Sequence, residues 1–319
     1  MTAASDAAMP RGLSRWNVYQ RERFPLLAHG PLIAAFSSGA VCYSAQLRAS
    51  ASGARPSVSV ASLVVAFMSC LLFFFQLRVS DEFKDREEDA RWRPYRAVPR
   101  GLVTLRELGW LAFAAAVNQL GAALLLAPRL VGPLLLVWGY AALMTKEFWV
   151  KDWLARHPFT VLWSHMLIMP FIDLYATACD WLAAGTGAPP GLGLLWFLIA
   201  SFFNGMVVEV GRKIRSPSDE ETGVQTYSAI WGPRRAVFAW LTVMTLTTIF
   251  AVLAAQAVGA TWVVLGILGT LMVIALVEGM RFLASKRPNQ GKRIETLAGI
   301  WTIGMYLGVG VVPLVVARW

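Results

Sequence analysis

The 319 residues are 57% hydrophobic and only 15% charged, whereas soluble domains are about 45–50% apolar and about 25% charged. This composition predicts an integral membrane protein. The net charge of +10 is compatible with nucleic acid, anionic lipid or membrane topology as its cause. The three cysteines, Cys42, Cys70 and Cys179, lie in apolar stretches without C-x-x-C spacing, which predicts buried thiols and excludes a disulfide framework or a zinc site.

Runs of about 20 mostly apolar residues, bounded by Pro, Gly or charge, predict membrane helices. Nine such runs predict an all-α polytopic membrane protein. Residues 1–24 are polar and are expected to form an N-terminal segment, and residues 25–319 a single membrane-embedded domain. The predicted spans are 25–47, 58–80, 108–127, 130–149, 159–183, 191–211, 234–256, 260–282 and 296–317.

The basic residues predict an orientation for this bundle. With a cytoplasmic N-terminus, 25 of the 29 Lys and Arg residues lie on the cytoplasmic side. Cytoplasmic loops retain Lys and Arg, so this asymmetry supports both the nine spans and the orientation, in a cell (inner) membrane. The positive charge is then explained by topology, and nucleic-acid binding is not expected. The four remaining basic residues are Arg48, Arg55, Arg129 and Arg318.

Acidic residues concentrate on the same predicted face, in two stretches. Seven of the 19 fall between Asp81 and Glu107, and four fall between Glu209 and Glu221. A site that works through charge is therefore expected at the cytoplasmic ends of the second and sixth spans.

The first stretch contains a row of carboxylates. Asp81, Asp85 and Asp89 are four residues apart, which on an α-helix places them along one face. Such a row is mutually repulsive and raises the pKa of its members. Mg²⁺ would neutralise it, because Mg²⁺ binds through one or two carboxylates together with substrate phosphates. The alternative is a solvated helix end in which Lys84 and Arg86 pair with the neighbouring acids.

This stretch resembles the first motif of the UbiA-type membrane prenyltransferases, which typically reads N-D-x-x-D-x-x-x-D and is followed by R-P-x-P-S-G. Asp81 stands where the family usually has Asn, and Glu82 where it often has Asp. Residues 96–101 replace the Pro-rich turn. The direct matches are Asp85, Arg86 and Asp89.

The second stretch resembles the second motif of the same family, D-x-x-x-D-x-x-x-G-x-x-T. Arg215 occupies the position of its first acid, so this motif is incomplete. Glu209 supplies the missing carboxylate in one interpretation; in the other, Arg212, Lys213 and Arg215 hold a diphosphate directly by charge-assisted hydrogen bonds. A purely topological role for these three cations is a further alternative. The matching residues are Asp219, Gly223 and Thr226.

The resemblance implies a helical bundle around a central cavity, with its active face cytoplasmic. It also implies Mg²⁺ as cofactor and transfer of a prenyl group from a polyprenyl diphosphate to a lipophilic acceptor, preferably an aromatic one, among membrane lipids. Lys146 lies about where the family has a basic residue. The expected metal ligands are Asp81, Asp85, Asp89, Glu209 and Asp219. The expected diphosphate ligands are Arg86, Lys146, Arg212 and Lys213. The expected catalytic residues are Asp85, Asp89, Arg86, Lys146 and Asp173.

The chemistry of such a transfer suits these residue types. Ionisation of an allylic diphosphate develops negative charge on the leaving group, which metal ions and Arg or Lys stabilise. The carbocation must be kept from water, and an apolar cavity within the membrane does so.

Two ionisable residues lie within the fifth span. Asp173 is near its middle and His165 is eight residues earlier, a separation that brings both to nearly the same helix face. Ionisable groups at that depth are usually functional, so either residue could orient or deprotonate an acceptor, or terminate a cyclising cation. The alternative is that Asp173 bonds to another helix and His165 packs. Weaker candidates are Asn118 and Gln119, while Glu278 and Glu295 are expected to pair with Arg281 and Arg293.

Two other functions fit part of the pattern. A terpene cyclase of the UbiA type would ionise the same donor and close it on itself. A transporter would use the spans and an acidic gate, but the acids cluster on one face, which argues against a polar pathway through the membrane.

Overall fold

The structure is a computed structural model that describes residues 12–186, 189–285 and 287–316. Within these ranges the chain is built of α-helices and contains no β-strand, which confirms the predicted all-α fold. The helices are α1 (Ser14–Arg23), α2 (Leu26–Ser52), α3 (Val60–Lys84), α4 (Arg86–Trp92), α5 (Leu105–Leu126), α6 (Val131–Thr145), α7 (Lys151–Ala155), α8 (Pro158–Met166), α9 (Ile168–Trp181), α10 (Leu192–Arg212), α11 (Tyr227–Trp231), α12 (Pro233–Gln256), α13 (Thr261–Ala284), α14 (Gln290–Tyr306) and α15 (Val312–Val316).

Eight helical segments in the described part of the chain are long and apolar enough to cross a membrane. Two of them combine consecutive helices, α8 with α9 and α14 with α15. The segments are Leu26–Ser52, Val60–Lys84, Leu105–Leu126, Pro158–Trp181, Leu192–Arg212, Pro233–Gln256, Thr261–Ala284 and Gln290–Val316.

The fourth predicted span, 130–149, is shorter than expected. Its helix α6 has 15 residues, which corresponds to about 22 Å against a hydrocarbon core of about 30 Å. A 3₁₀ turn at Pro128–Leu130 precedes it. The helix ends at Thr145 because Glu147, Phe148 and Trp149 all adopt positive φ angles, which an α-helix of L-residues does not accommodate.

Contacts between helix ends define two ends of the bundle. At one, which we call the polar end, Lys84 of α3 pairs with Glu147 after α6 at 2.6 Å. At the opposite end, Arg48 of α2 donates two hydrogen bonds of 2.8 Å to Asp180 of α9. The chain therefore returns to the polar end after α3 and again after α6.

Close helix packing forms the core around α2 and the last helix. Gly39 and Gly310 face each other so closely that a Cβ on Gly310 would overlap the Gly39 carbonyl, the kind of approach that small residues permit between membrane helices. A π-helical turn at Leu307–Val311 joins α14 to α15. It follows Tyr306, whose side chain is fully buried.

The N-terminal segment packs on the polar end through α1. Tyr19 is buried against apolar residues that include Val79 and Leu108. Arg23 pairs with the buried carboxylate of Glu82. Helix α1 is thus docked beside the first acidic stretch.

Candidate active site at the polar end

The first acidic stretch keeps helical spacing across a break between two helices. Asp85 alone separates α3 from α4, with φ −91° and ψ 9°. The Asp85 amide donates to the Asp81 carbonyl at 2.9 Å, and the Asp89 amide donates to the Asp85 carbonyl at 2.8 Å. The three acids therefore follow one another along one helical path, but their side chains have different surroundings.

Asp81 and Asp85 are the weakly neutralised members of the row. The Asp81 side chain is 43% exposed, and its carboxylate accepts one hydrogen bond of 3.3 Å from Arg78. Burial, and after it the negative charges of Asp81 and Asp89, raise the pKa of Asp85 to about 6. Lys84 opposes this shift, but its ammonium pairs with Glu147. The two carboxylates form a site of unbalanced negative charge.

Asp89 is engaged by protein cations. Its buried carboxylate pairs with Arg93 at 2.9 Å and with Arg96 at 2.7 Å. These contacts fasten α4 to the turn that follows it. In this arrangement Asp89 does not join Asp81 and Asp85 as a free ligand, because two guanidinium groups already neutralise it.

The end of α10 carries a compact ion cluster. Both carboxylate oxygens of Glu209 are occupied, one by Arg212 at 2.6 Å and the other by Lys213 at 2.9 Å. Lys213 also lies 5.5 Å from the centre of the Tyr227 ring. Arg212 lies close enough to Asp81 for the two charges to interact. The ends of α3 and α10 therefore meet, and the expected ligand Glu209 serves to hold two cations there.

Asp219 stabilises the start of α14. It ends a 3₁₀ turn, and its Oδ2 accepts a hydrogen bond of 2.7 Å from the backbone amide of Asn289. Asn289 adopts a left-handed conformation, φ 61°, directly before α14. The structure thus places this expected metal ligand against the loop before the last helix rather than beside Asp81 and Asp85.

The two acidic stretches are joined by side chains of their loops. Trp92 of α4 packs on Gly223, whose φ is +78° and where a Cβ would overlap the indole ring. Tyr95 donates a hydrogen bond of 2.8 Å to Glu221, and Arg215 pairs with the same carboxylate at 3.0 Å. These bonds hold the pKa of Glu221 below its ordinary value. Tyr95 therefore joins the two loops through Glu221, and Arg215, which replaces the family's acid, holds that carboxylate from within its own loop.

The remaining expected ligands at this end are exposed cations. Arg86 begins α4 and Lys146 follows α6, and both side chains are exposed. The expected set of five metal ligands is not assembled: among the described residues, no group of three or more His, Cys, Asp or Glu side chains is arranged to hold a metal ion.

Asp173 and His165 lie on consecutive helices and have different partners. A one-residue turn at Leu167 separates α8 from α9. Asp173 is fully buried and accepts a hydrogen bond of 2.7 Å from Tyr306 of α14. This contact agrees with the alternative in which Asp173 bonds to another helix. His165 instead faces the polar end. Of the weaker candidates, Gln119 bonds to Ser69, Asn118 bonds within its own helix, and Glu278 pairs with Arg281 as expected.

Sequence reasoning missed a cluster of Lys84, Glu147 and His165. Burial on its own raises the pKa of Glu147, but His165 and Lys84 outweigh it and lower the value to about 2. Glu147 follows the expected ligand Lys146, yet it is Glu147 whose side chain enters the bundle. No sequence signal marked it, because the left-handed turn that directs it contains no glycine.

Comparison with known proteins identifies the family. The sequence matches the UbiA prenyltransferase family over residues 40–315. The chain belongs to this family. No curated protein matches the sequence.

Solved structures of UbiA homologs share the fold. The apo UbiA homolog from Aeropyrum pernix K1 aligns with a TM-score of 0.66 at 16% identity, covering 91% of this chain and 98% of that chain. The UbiA homolog from Archaeoglobus fulgidus bound to DMAPP and Mg²⁺ aligns with a TM-score of 0.57 at 12% identity, covering 92% of this chain and 99% of that chain. A digeranylgeranylglyceryl phosphate synthase structure aligns with a TM-score of 0.58 at 11% identity, covering 93% of this chain and 99% of that chain.

The contacts of Asp219 in this UbiA-family protein lead to a prediction about the second motif. Asp219→Ala is expected to lower the free energy of unfolding by about 1 kcal/mol, the value of one hydrogen bond, and to leave the Mg²⁺ concentration for half-maximal turnover nearly unchanged. A thermal unfolding curve and a Mg²⁺ titration measure the two effects. Thr222→Ala, at an exposed position of the same loop, is the control. A tenfold rise in the Mg²⁺ requirement would show that Asp219 is a metal ligand.

Proposed function

We propose that this protein transfers a prenyl group from a polyprenyl diphosphate to a lipophilic, aromatic acceptor within the membrane, with Mg²⁺ as cofactor. The observation that carries this proposal is that the Asp81 carboxylate, four residues before Asp85, lies within electrostatic reach of Arg212 at the end of α10. Opposite charges at one end of an apolar bundle suit a metal-bound diphosphate with a hydrocarbon tail. The homolog from Archaeoglobus fulgidus, bound to DMAPP and Mg²⁺, supports the same assignment.

Asp81 and Asp85 fit a Mg²⁺ ion. They are carboxylates four residues apart on one helical path, and burial together with the charge of Asp81 raises the pKa of Asp85 to about 6, a shift that a bound cation would oppose. Mg²⁺ is commonly held by one or two carboxylates plus substrate phosphates and water. When bound, it would neutralise charge on the departing diphosphate. We assign Asp89, Glu209 and Asp219 to supporting roles, because protein partners already hold their carboxylates.

Four cations are proposed to hold the diphosphate. They are exposed or half-buried at the polar end, where they reach an anion from several sides by charge-assisted hydrogen bonds. Held in this way, the leaving group stays in position while the bond to the prenyl carbon breaks. The four are Arg86, Lys146, Arg212 and Lys213.

The interior beside these charges offers an apolar wall. Tyr140 packs edge-on against Phe171 at 4.9 Å and against Phe148 at 5.8 Å between ring centres. Aromatic faces stabilise a nearby cation, and the packed rings exclude water from it. We propose that this wall shields the prenyl cation and its acceptor.

We propose that the polar end faces the cytoplasm, in a cell (inner) membrane. The cations assigned to the diphosphate lie at this end, together with the docked helix α1. The positive-inside distribution of Lys and Arg supports this orientation.

The cations lead to a kinetic prediction. Replacement of both Arg212 and Lys213 by Gln is expected to lower kcat/KM for the donor about ten- to a hundredfold. The reason is that a charge-assisted hydrogen bond is worth roughly 1.5–3 kcal/mol. The KM for the acceptor should stay nearly unchanged. The measurement is donor kcat/KM on purified double variant that elutes as a single species.

The matched control for this double variant is the replacement of both Arg234 and Arg235 by Gln. These two arginines are exposed at the start of α12 and contribute to the same positive-inside charge. A topological role predicts that both double variants reduce the amount of inserted protein and that neither alters kinetics per folded molecule. Unchanged donor kcat/KM in the Arg212 and Lys213 variant would remove them from the site.

The proposed activity is tested with membranes containing the protein. They are incubated with geranyl, farnesyl or geranylgeranyl diphosphate and Mg²⁺, with and without a crude lipid extract, and released diphosphate is measured. Transfer predicts release that requires the extract. Release without the extract would favour the cyclase, and no release from any of the three donors would contradict the proposal.

A further inference from the structure

The turn that follows α6 has an unusual backbone. Glu147, Phe148 and Trp149 have φ angles of 47°, 52° and 58°, in the left-handed region that residues with a Cβ rarely adopt. Such residues persist where the surroundings over-determine them, and they concentrate at functional sites. Here the turn leaves Lys146 exposed and directs Glu147 towards α3 and α8.

Glu147 holds a three-residue cluster together. One carboxylate oxygen lies 2.6 Å from Lys84 Nζ, and the other lies 3.5 Å from His165 Nε2. Lys84 Nζ lies 3.4 Å from the same imidazole nitrogen. The side chains are 13% exposed for Glu147 and His165 and 20% for Lys84. The cluster is enclosed but within reach of a ligand at the polar end.

The hydrogen bonds of His165 fix its tautomer. Its Nδ1 lies 2.9 Å from the backbone oxygen of Val161. A carbonyl oxygen only accepts, so Nδ1 must carry the hydrogen, and the neutral ring keeps a lone pair on Nε2. This lone pair faces the cluster, 3.4 Å from Lys84 Nζ. Once Nε2 has taken a proton, the Glu147 carboxylate oxygen 3.5 Å away stabilises the imidazolium.

The cluster connects the proposed donor site to the aromatic wall. Lys84 precedes Asp85 and interacts electrostatically with both Asp81 and Asp85. On the other side, the Phe148 ring stands at 82° to the His165 ring, with 6.0 Å between their centres. The cluster therefore borders both the proposed donor site and the aromatic wall, with His165 Nε2 on the side of Lys84 and Glu147.

We propose that His165 is the general base that removes the acceptor's proton, and that Glu147 is its positioning residue. This inference rests on the proposed function. The acceptor atom forms a bond to the first carbon of the prenyl chain, and the carbon–oxygen bond to the diphosphate breaks, its electron pair leaving with the diphosphate. The proton on the acceptor atom passes to His165 Nε2 and from there to water. No oxidant or reductant is required.

The test uses His165→Asn. The Asn amide can replace Nδ1–H towards the Val161 carbonyl, but it offers no basic nitrogen in the position of Nε2. Transfer from geranylgeranyl diphosphate to acceptor in the lipid extract is expected to fall at least a hundredfold in kcat. The rise in unfolding temperature caused by geranylgeranyl diphosphate with Mg²⁺ should equal that of wild type, because the donor site is intact.

The matched control is His157→Asn. His157 makes the same bond to the backbone four residues earlier, with Nδ1 2.7 Å from the Trp153 oxygen, but it lies outside the cluster and is exposed. Its transfer rate should stay within twofold of wild type. Glu147→Gln should lower kcat about tenfold with little change in the KM for acceptor, while Asp152→Asn, an exposed acid of the same connection, should change neither.

The outcomes separate the inference from the proposed function. Full transfer by His165→Asn, or a loss of donor-induced stabilisation equal to its loss of transfer, would overturn the role of His165 while wild type remains a transferase. A wild type that releases no diphosphate, or releases it without acceptor, would overturn the proposed function and the inference with it. Loss of transfer with donor stabilisation retained supports both.

Discussion

Asp85→Asn is expected to reduce Mg²⁺-dependent turnover by about a hundred- to a thousandfold, the several kcal/mol that a metal contributes to stabilising a leaving group. The variant should fold normally or become slightly more stable. The reason is that Asp85 is a partly buried carboxylate with a raised pKa beside Asp81 and Asp89, so removing its charge relieves repulsion. Initial rates over a Mg²⁺ titration and a thermal unfolding curve measure the two effects.

The control for Asp85 is Glu88→Gln, a change of the same charge at an exposed position of α4. It should leave turnover within a few fold of wild type. If Asp85→Asn and Glu88→Gln behave alike, the assignment of the metal to this stretch is wrong, and the row is a solvated helix end.

Asp89→Ala is expected to act mainly on stability. The substitution removes a buried carboxylate from between Arg93 and Arg96, and breaking a buried ion pair in this way costs about 3–5 kcal/mol. The midpoint of thermal unfolding in detergent should fall by several degrees. Turnover should fall in proportion to the loss of folded protein, and the Mg²⁺ requirement of the folded enzyme should stay the same.

Glu87→Ala provides the comparison for Asp89, because Glu87 is exposed in the first turn of the same helix. It should leave the unfolding midpoint almost unchanged. A stable Asp89→Ala protein with a tenfold higher Mg²⁺ requirement would contradict the structural role and restore Asp89 as a metal ligand.

The fold was predictable because a membrane helix is a local property of the sequence. An apolar run of sufficient length specifies a span without reference to the rest of the chain. The fourth span was overextended for a physical reason. Phe148 and Trp149 continue the apolar composition, but together with Glu147 they form a left-handed turn, and hydropathy carries no information about φ.

The spacing of the acidic row was predictable, but the partners of its side chains were not. The spacing of Asp81, Asp85 and Asp89 survives because it depends on backbone hydrogen bonds within α3 and α4. The contact of Asp219 joins it to Asn289, 70 residues later. Such a pairing depends on how α10 and α14 pack, which no local pattern encodes.

The intramembrane residues show the limit of helical periodicity. The eight-residue spacing of His165 and Asp173 predicts a common face only if the helix is continuous. The break at Leu167 separates them, so Asp173 bonds to Tyr306 and His165 turns to Glu147. Periodicity correctly marks both as unusual, but it does not identify their partners.

The central claim is that the ends of α3 and α10 form a site for a Mg²⁺-bound prenyl diphosphate. The most direct measurement is equilibrium binding of radiolabelled geranylgeranyl diphosphate to purified wild type and Asp85→Asn, each in Mg²⁺ and in EDTA. The account predicts saturable binding by wild type in Mg²⁺, its loss in EDTA, and at least tenfold weaker binding by Asp85→Asn. Binding that is equal in Mg²⁺ and EDTA and unaffected by the substitution would contradict it.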